Sequence, residues 1–332
     1  VRIALADIAR PQMERLRRHL AATDTFVDIP ETLATPVAID VLIASRFAAG
    51  DGARMRFRLL QVPGAGTDKI DFAAIPPEAW VCNAFEHEGP IAEYVFAAIL
   101  DHALGFSALT RRMPELGWAG AYFSRPPHGE LAGKTLGLVG LGHIGAAIAR
   151  RAKAFDLAVM AVTATRRSSA PGVDWIATAD RLPELLARSD YVVLACPLSE
   201  ATRGMISTRE LRRMKPTAVL LNVARAEIAV EEDLFEALRS GVIAGAVLDT
   251  WYRYPASASD PVEPSRFPFA GLANVRMTPH SAAWTDAVWE RRAAVLAANI
   301  ARLKAGEPLR HIVRAPLAEA ARPAYGPREQ SR

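Results

Sequence analysis

The chain has 332 residues, more than a single core usually serves, so two domains are expected. Its residues are 51% hydrophobic and 23% charged with a formal net charge of +4, a soluble globular profile, and no apolar run reaches the roughly 18 residues that cross a bilayer. Lys and Arg form no stripe with interleaved aromatics, so neither nucleic acid nor a membrane is an expected partner.

RIALAD (residues 2–7) reads as a buried strand at the start, with no charged and apolar leader before it. The two cysteines, Cys82 and Cys196, lie far apart and outside any metal-ligand spacing, so neither a disulfide framework nor a metal site is expected. Together these features favour the cytoplasm. An amphipathic helix is predicted over 13–20, then short apolar runs at 26–29, 40–44, 59–62 and 81–82, each bounded by Gly, Pro or Asp. Strands alternating with helices imply a parallel sheet covered on both faces. A long helix is predicted over 91–116, opening after Gly89-Pro90 with Glu93 in its first turns. The segment 117–133, rich in turn residues and exposed aromatics, reads as an irregular bridge between domains.

The alternation then restarts. Residues 134–142 read as a strand running into a glycine turn, and 143–155 as a helix. Further buried strands are predicted at 157–163, 191–196, 218–223, 244–249 and 275–280, with helices at 182–188, 207–214 and 231–240. A last helix, 285–304, ends at Gly306, and the following PLRHIV (308–313) is expected to rejoin the first domain. The end of the chain, 316–332, reads as a loose tail.

Gly140-Leu141-Gly142-His143-Ile144-Gly145 fits G-x-G-x-x-G with a strand before it and a helix after it. The first glycine makes a tight turn, the second lets a pyrophosphate approach the backbone, and the third lets helix pack on strand. The plainer alternative is an ordinary strand-to-helix turn. NAD-preferring domains place a carboxylate at the end of the next strand. Here that strand ends in Thr163, followed by Ala164, Thr165, Arg166 and Arg167. A pair of guanidinium groups beside hydroxyls suits a 2′-phosphate, so NADP(H) is the preferred cofactor, with NAD(H) a second possibility.

Several motifs in order now resemble the D-isomer-specific 2-hydroxyacid dehydrogenases: QVPGAGTDKID at 61–71, the AEYV holding Glu93, GLGHIG at 140–145, CPLSEATRGMI at 196–206, LLNVARAEI at 220–228, GAVLDTW at 245–251 and TPHSA at 278–282. The resemblance implies that Arg225 binds the substrate carboxylate and polarises its carbonyl. It implies that His280 is the proton donor and acceptor. The loop Gly64-Ala65-Gly66 matches the family's substrate loop. Cys196, Pro197, Thr202, Val223, Ala224, Asp249, His280 and Ala282 match its cofactor contacts; for Cys196, packing rather than thiol chemistry is expected.

The family's usual glutamate beside the catalytic histidine is replaced by Tyr254, in Asp249-Thr-Trp-Tyr-Arg-Tyr254-Pro255. A tyrosine can orient the ring but brings no charge, so His280 should be a weaker base than its counterparts. Ala226 stands where the family has glycine after its arginine. Glu86-His87-Glu88 could face the substrate, although an acidic helix start explains it as well. Trp251, Tyr252, Tyr254 and Trp284 would bracket the cleft and hint at a bulky substrate.

The expected architecture is α/β: two doubly wound parallel-sheet domains, Rossmann-like and flavodoxin-like, with a cleft between them. Residues 1–98 and 286–315 form the substrate domain and 99–285 the dinucleotide-binding domain. The expected partners are a small carboxylate substrate and a second copy of the chain, with 117–129 as an exchange arm. The rival readings are a catalytically silent nucleotide-binding or corepressor-like module, and a dehydrogenase for formate or phosphonate.

Overall fold

Hydrophobic residues alternate along the strands, and that alternation decides which helices cover which face. The computed structural model describes residues 1–28, 37–52 and 55–317, which divide into two units, Val1–Glu86 with the chain from Thr285 onward, and His87–Trp284.

The first unit holds β1 (Arg2–Leu5), β2 (Thr25–Phe26), β3 (Val37–Ala38), β4 (Val41–Ile43), β5 (Met55–Arg56), β6 (Leu59–Gln61) and β7 (Trp80–Cys82), with α1 (Met13–Arg17) and α2 (Ala49–Gly52). The end of the chain adds α9 (Asp286–Ala305) and β15 (Ile312–Arg314). The main sheet runs β15-β7-β6-β4-β1-β2, parallel except for β15, which returns antiparallel to β7 as expected from PLRHIV. Ile3, Leu5, Val41, Ile43 and Leu59 face α1 and α9, packing on Leu16, Leu296 and Ile300. Their neighbours Ala4, Leu42, Leu60 and Val81 face the other way, onto Phe47, Phe57 and Ile70. The buried Asn299 of α9 ties the return strand in place. Its Nδ2 donates to Gln61 Oε1 (2.8 Å) and to the Arg310 carbonyl (3.0 Å), and its Oδ1 accepts from the Arg310 N–H (2.9 Å).

The second unit holds α3 (Glu88–Leu104), α4 (Phe106–Phe123), β8 (Thr135–Val139), α5 (His143–Ala152), β9 (Ala158–Thr163), β10 (Trp175–Thr178), α6 (Leu182–Arg188), β11 (Tyr191–Leu194), α7 (Thr208–Leu211), β12 (Val219–Asn222), α8 (Glu231–Arg239), β13 (Gly245–Leu248) and β14 (Val275–Met277). Its sheet is parallel throughout, in the order β10-β9-β8-β11-β12-β13-β14. Leu136, Leu138, Val159, Ala161, Val193 and Leu221 pack under α3 and α5, while Val139, Val162, Val192, Leu194 and Leu220 pack under α6 and α8. The chain leaves β8 toward β9 on one side and returns to β11 on the other. The ends of β8 and β11 therefore flank the point where strand order reverses, the usual ligand position in such sheets.

Three expectations differ from this structure. The first unit ends at residue 86 rather than 98, because Ile91, Val95, Phe96 and Ile99 of α3 bury against Leu138 and Ile148 of the second unit. The helix predicted over 91–116 breaks at Gly105, which adopts a left-handed φ of 64°, and α4 turns away by 49°. The supposedly irregular 117–133 continues α4 to Phe123, with a kink at Gly117. No single described helix is long and apolar enough to cross a membrane. Residue 29, at the end of one predicted strand, and residues 318–332 of the predicted tail lie outside the described residues.

Candidate active site

The glycine turn closes β8 and opens α5. Gly140 has φ +103°, and a Cβ there would sit 2.7 Å from the Cys196 nitrogen and 2.8 Å from the Ala195 carbonyl oxygen, so only glycine fits. A Cβ on Gly145 would lie 2.3 Å from the Gly140 carbonyl oxygen. Gly142 is different: it is exposed, it caps α5, and a Cβ added to it meets nothing within 4 Å. The outer glycines shape the turn, and the middle one keeps an open face at the helix start, where the first N–H groups have no partner within the helix itself. His143 is exposed and Ile144 half-buried on that first turn.

At the end of β9 the Thr163 hydroxyl donates to the Thr165 carbonyl (2.7 Å). Arg167 Nη1 donates to the Leu141 carbonyl (3.1 Å), bracing the glycine turn, and Arg166 beside it is exposed. A phosphate-sized approach at Gly142 and cations without a carboxylate at the next strand end fit a nicotinamide dinucleotide. At the end of β11, burial pushes the Cys196 thiol up to about 11, which suits a packing role. Pro197 is exposed; its carbonyl accepts from the Thr202 hydroxyl (2.8 Å), which itself accepts from the Ser199 N–H (2.8 Å). Thr202 thus shapes its own turn. Val223, Ala224 and Ala282 are buried.

The catalytic candidates hang on one hydrogen-bonded frame. Asp249, 1% exposed at the end of β13, accepts from the Thr278 hydroxyl (2.6 Å) and the Ser281 N–H (2.8 Å) through Oδ1, and from the Ala282 N–H (3.0 Å) through Oδ2. Its carboxylate, expected at the cofactor, holds the 278–282 loop. Because Thr278 donates to a carboxylate, the Tyr94 hydroxyl 2.6 Å away must be donating to Thr278. The Trp251 indole donates to the Thr278 carbonyl (2.8 Å). Within this loop His280 is exposed and carries a φ of +57°, an unusual conformation for a side-chain-bearing residue.

Tyr254 lies against His280 with its hydroxyl 2.8 Å from Nδ1, and the same oxygen accepts the Trp251 N–H (3.2 Å). Burial holds this phenol above its ordinary range. The Trp251 hydrogen bond and the Arg225 guanidinium oppose that rise, and the carboxylates of Asp249 and Glu227 add to it. Arg225 therefore shares the Tyr254–His280 neighbourhood. Its backbone is set by the buried Asn222, whose Nδ2 donates to the Arg225 carbonyl (2.9 Å) and whose Oδ1 accepts the Ala224 N–H (3.1 Å). The half-buried Arg225 side chain donates from Nη1 to the Ala224 carbonyl (2.8 Å), and Ala226 is buried in the short turn that follows.

Two of the four bracketing aromatics serve the fold. Trp251 is buried on Phe269, and Tyr252 donates to the Ala229 carbonyl (2.9 Å), while Trp284 stays exposed. Of the acidic trio, Glu86 belongs to the first unit and pairs with Arg291 (3.3 Å), while the buried His87 stands at the N-cap position of α3 and Glu88 opens that helix. The substrate loop is also in the first unit. There the Gly64 carbonyl accepts from the Ala84 N–H (3.2 Å) and the Ala65 carbonyl from Asn83 Nδ2 (2.9 Å), with Gly66 next in the loop. Tyr94, Asn222 and the framing role of Trp251 were not anticipated. Tyr94 stands inside AEYV, beside the residue that drew attention to that motif.

A sequence profile described as D-isomer specific 2-hydroxyacid dehydrogenase, NAD binding domain, matches residues 96–282. The glyoxylate reductase of Korarchaeum cryptofilum is 36% identical over 220 residues, 65% of this chain and 63% of that protein, so the match spans less than two thirds of that relative. The glyoxylate reductase of Thermofilum pendens is 33% identical over 314 residues, 90% of this chain and 83% of that one. A solved D-isomer specific 2-hydroxyacid dehydrogenase from Xanthobacter autotrophicus Py2, in complex with NADPH and MES, is 26% identical; the alignment covers 94% of this chain and 97% of that one with a TM-score of 0.77. Matched by that profile over more than half of its length and 33% identical to a relative across 90% of it, the chain belongs to the D-isomer specific 2-hydroxyacid dehydrogenase family.

Proposed function

We propose that the protein is an NADPH-preferring oxidoreductase that interconverts a small 2-keto acid and its 2-hydroxy acid. The observation that carries this reading is the Tyr254 hydroxyl, 2.8 Å from the His280 imidazole and within the electrostatic influence of the Arg225 guanidinium. The Arg225 guanidinium holds the carboxylate and draws electron density from the carbonyl. His280 gives a proton to the carbonyl oxygen in reduction and removes the hydroxyl proton in oxidation. When bound, the cofactor supplies or accepts the hydride at the carbonyl carbon. The glycine turn takes the pyrophosphate, and Arg166 with Arg167 takes the 2′-phosphate. The NADPH-bound relative and the lack of a carboxylate after Thr163 support that preference. The same reading includes a homodimer, with the exposed aromatics of α4 (Trp118, Tyr122 and Phe123) at its interface.

Oxidation of NADPH and NADH with glyoxylate, hydroxypyruvate and phenylpyruvate tests the assignment. At least one acid should be turned over, and faster with NADPH at low cofactor concentration. Tight NADPH binding without turnover of any 2-keto acid would favour a silent nucleotide-binding module, a reading that the uncharged Tyr254 keeps in view. Turnover of formate or phosphonate alone would reassign the substrate.

A further inference from the structure

The Tyr254 hydroxyl oxygen lies within hydrogen-bond distance of the Trp251 backbone nitrogen and of His280 Nδ1. The Trp251 backbone N–H can only donate, so the phenolic oxygen accepts there. The contact with His280 Nδ1 could run either way, and acid strength decides between the two. A phenol, with a pKa of about 10, is a far stronger donor than a neutral imidazole N–H. An imidazole nitrogen, whose conjugate acid has a pKa of about 6.5, is a far better acceptor than a phenolic oxygen.

We propose that Tyr254 donates its hydroxyl proton to Nδ1 of His280, so that the neutral imidazole carries its own proton on Nε2, and that the two side chains form a two-proton relay. A glutamate in the same place would accept only, and would impose the opposite tautomer with the proton on Nδ1. Tyrosine thus reverses the ring without moving it. Nδ1 faces the Tyr254 hydroxyl, and Nε2 is on the opposite edge of the ring. Both halves of the pair hang on one frame. The Trp251 backbone sets the hydroxyl and the Trp251 indole holds the Thr278 carbonyl, while Asp249 holds the N–H groups of Ser281 and Ala282 on the far side of His280.

The relay rests on the dehydrogenase reading; the tautomer does not. In reduction the Nε2 proton passes to the substrate oxygen. As it leaves, the Tyr254 O–H bond breaks and an Nδ1–H bond forms, so the imidazole stays neutral and the charge left behind is a phenolate. Burial resists that phenolate, as do the charges of Asp249 and Glu227, while the Trp251 N–H and the positive Arg225 favour it. Water returns its proton. Reduction then no longer needs an imidazolium, and its rate should persist at alkaline pH until Tyr254 itself ionises.

Nitrogen-15 NMR of the full chain with labelled histidine reads the tautomer directly, with His280 assigned by difference against His280→Gln. At a pH where the ring is neutral, the Nε2–H form should dominate, and Tyr254→Phe should convert it to a mixture. A dominant Nδ1–H form in the unsubstituted protein overturns the proposal. In mixtures of H2O and D2O, with the hydride step exposed by deuterated NADPH, the rate of 2-keto acid reduction should curve as two moving protons require. Tyr254→Phe should make it linear, with kcat down by roughly 100-fold, the lower range for a general acid. A straight line in the unsubstituted protein removes the relay. No turnover at all removes the dehydrogenase reading together with the relay, and leaves the tautomer to be judged by NMR alone.

Discussion

Gly140 and Gly142 are two residues apart and should fail in opposite ways. Alanine at 140 must adopt φ +103° and push its Cβ to 2.7 Å from the Cys196 nitrogen. Backbone strain of this kind alone costs about 1–3 kcal/mol, so Gly140→Ala should lower the urea midpoint clearly. Gly142→Ala meets no neighbour, so stability should hold within about 0.5 kcal/mol while NADPH affinity drops; calorimetric titration beside urea unfolding separates the two. Arg166 and Arg167 should also differ. Arg167 braces the Leu141 carbonyl, so Arg167→Ala should weaken both nucleotides, whereas Arg166→Ala should weaken NADPH alone, by tenfold or more for a charge-assisted bond worth about 1.5–3 kcal/mol. Equal losses of NADH and NADPH affinity in Arg166→Ala would remove the 2′-phosphate assignment. At this scale the sequence was informative where chemistry forces a local pattern, as in the glycine spacing, and it singled out Tyr254, which meets His280. It was silent on the Tyr94–Thr278–Asp249 chain, whose members are 184 and 29 residues apart and show no short-range signature.

The elements were legible where the sheet buries nearly continuous apolar runs, as in β8, β9, β11, β12 and β13. They were less so at edges. The strand β10 escaped notice because all four of its residues are only half-buried and its short WIAT stretch lacks the apolar run that marks the inner strands. The break between α3 and α4 was missed because helical propensity resumes directly after Gly105, the left-handed cap that ends α3. The helix α4 then runs through Phe123 with none of its residues buried, an arrangement that a lone helix does not maintain cheaply. Trp118 and Phe123, 69% and 86% exposed, are the natural anchors of the proposed second copy. Trp118→Glu with Phe123→Glu should therefore shift sedimentation from dimer to monomer and leave circular dichroism unchanged, since neither side chain contributes to the core. A double variant that sediments like the parent would move the interface elsewhere or abolish it.

For the whole molecule, acid should act unevenly on the two units. In the second unit, hydrogen bonds from Ser107 hold Asp101 below its ordinary range, and the Lys153 ammonium does the same for Asp174. Burial raises Glu210 and Glu231, but Ser207 with Arg209, and Arg266 with Ser265, more than offset it. In the first unit Asp24 is lowered likewise, burial being outweighed by Lys304 and the terminal amine. A carboxyl whose folded value lies below its unfolded one stabilises the fold fully above the unfolded value, near 4, and loses that contribution as pH falls through the folded value. The loss should therefore begin below about pH 4, and the second unit, with the larger share of such groups, should loosen first. Hydrogen exchange followed by mass spectrometry, corrected for intrinsic rates, should show protection lost across β8–β14 before β1–β7. NADP+, which survives acid, should delay that loss by mass action, by about 2.7 kcal/mol at 100 times its dissociation constant. Because the nucleotide binds the folded second unit under the proposed assignment, its protection should concentrate there. Uniform protection of both units would mean that the dinucleotide is held by something other than the glycine turn and its neighbours.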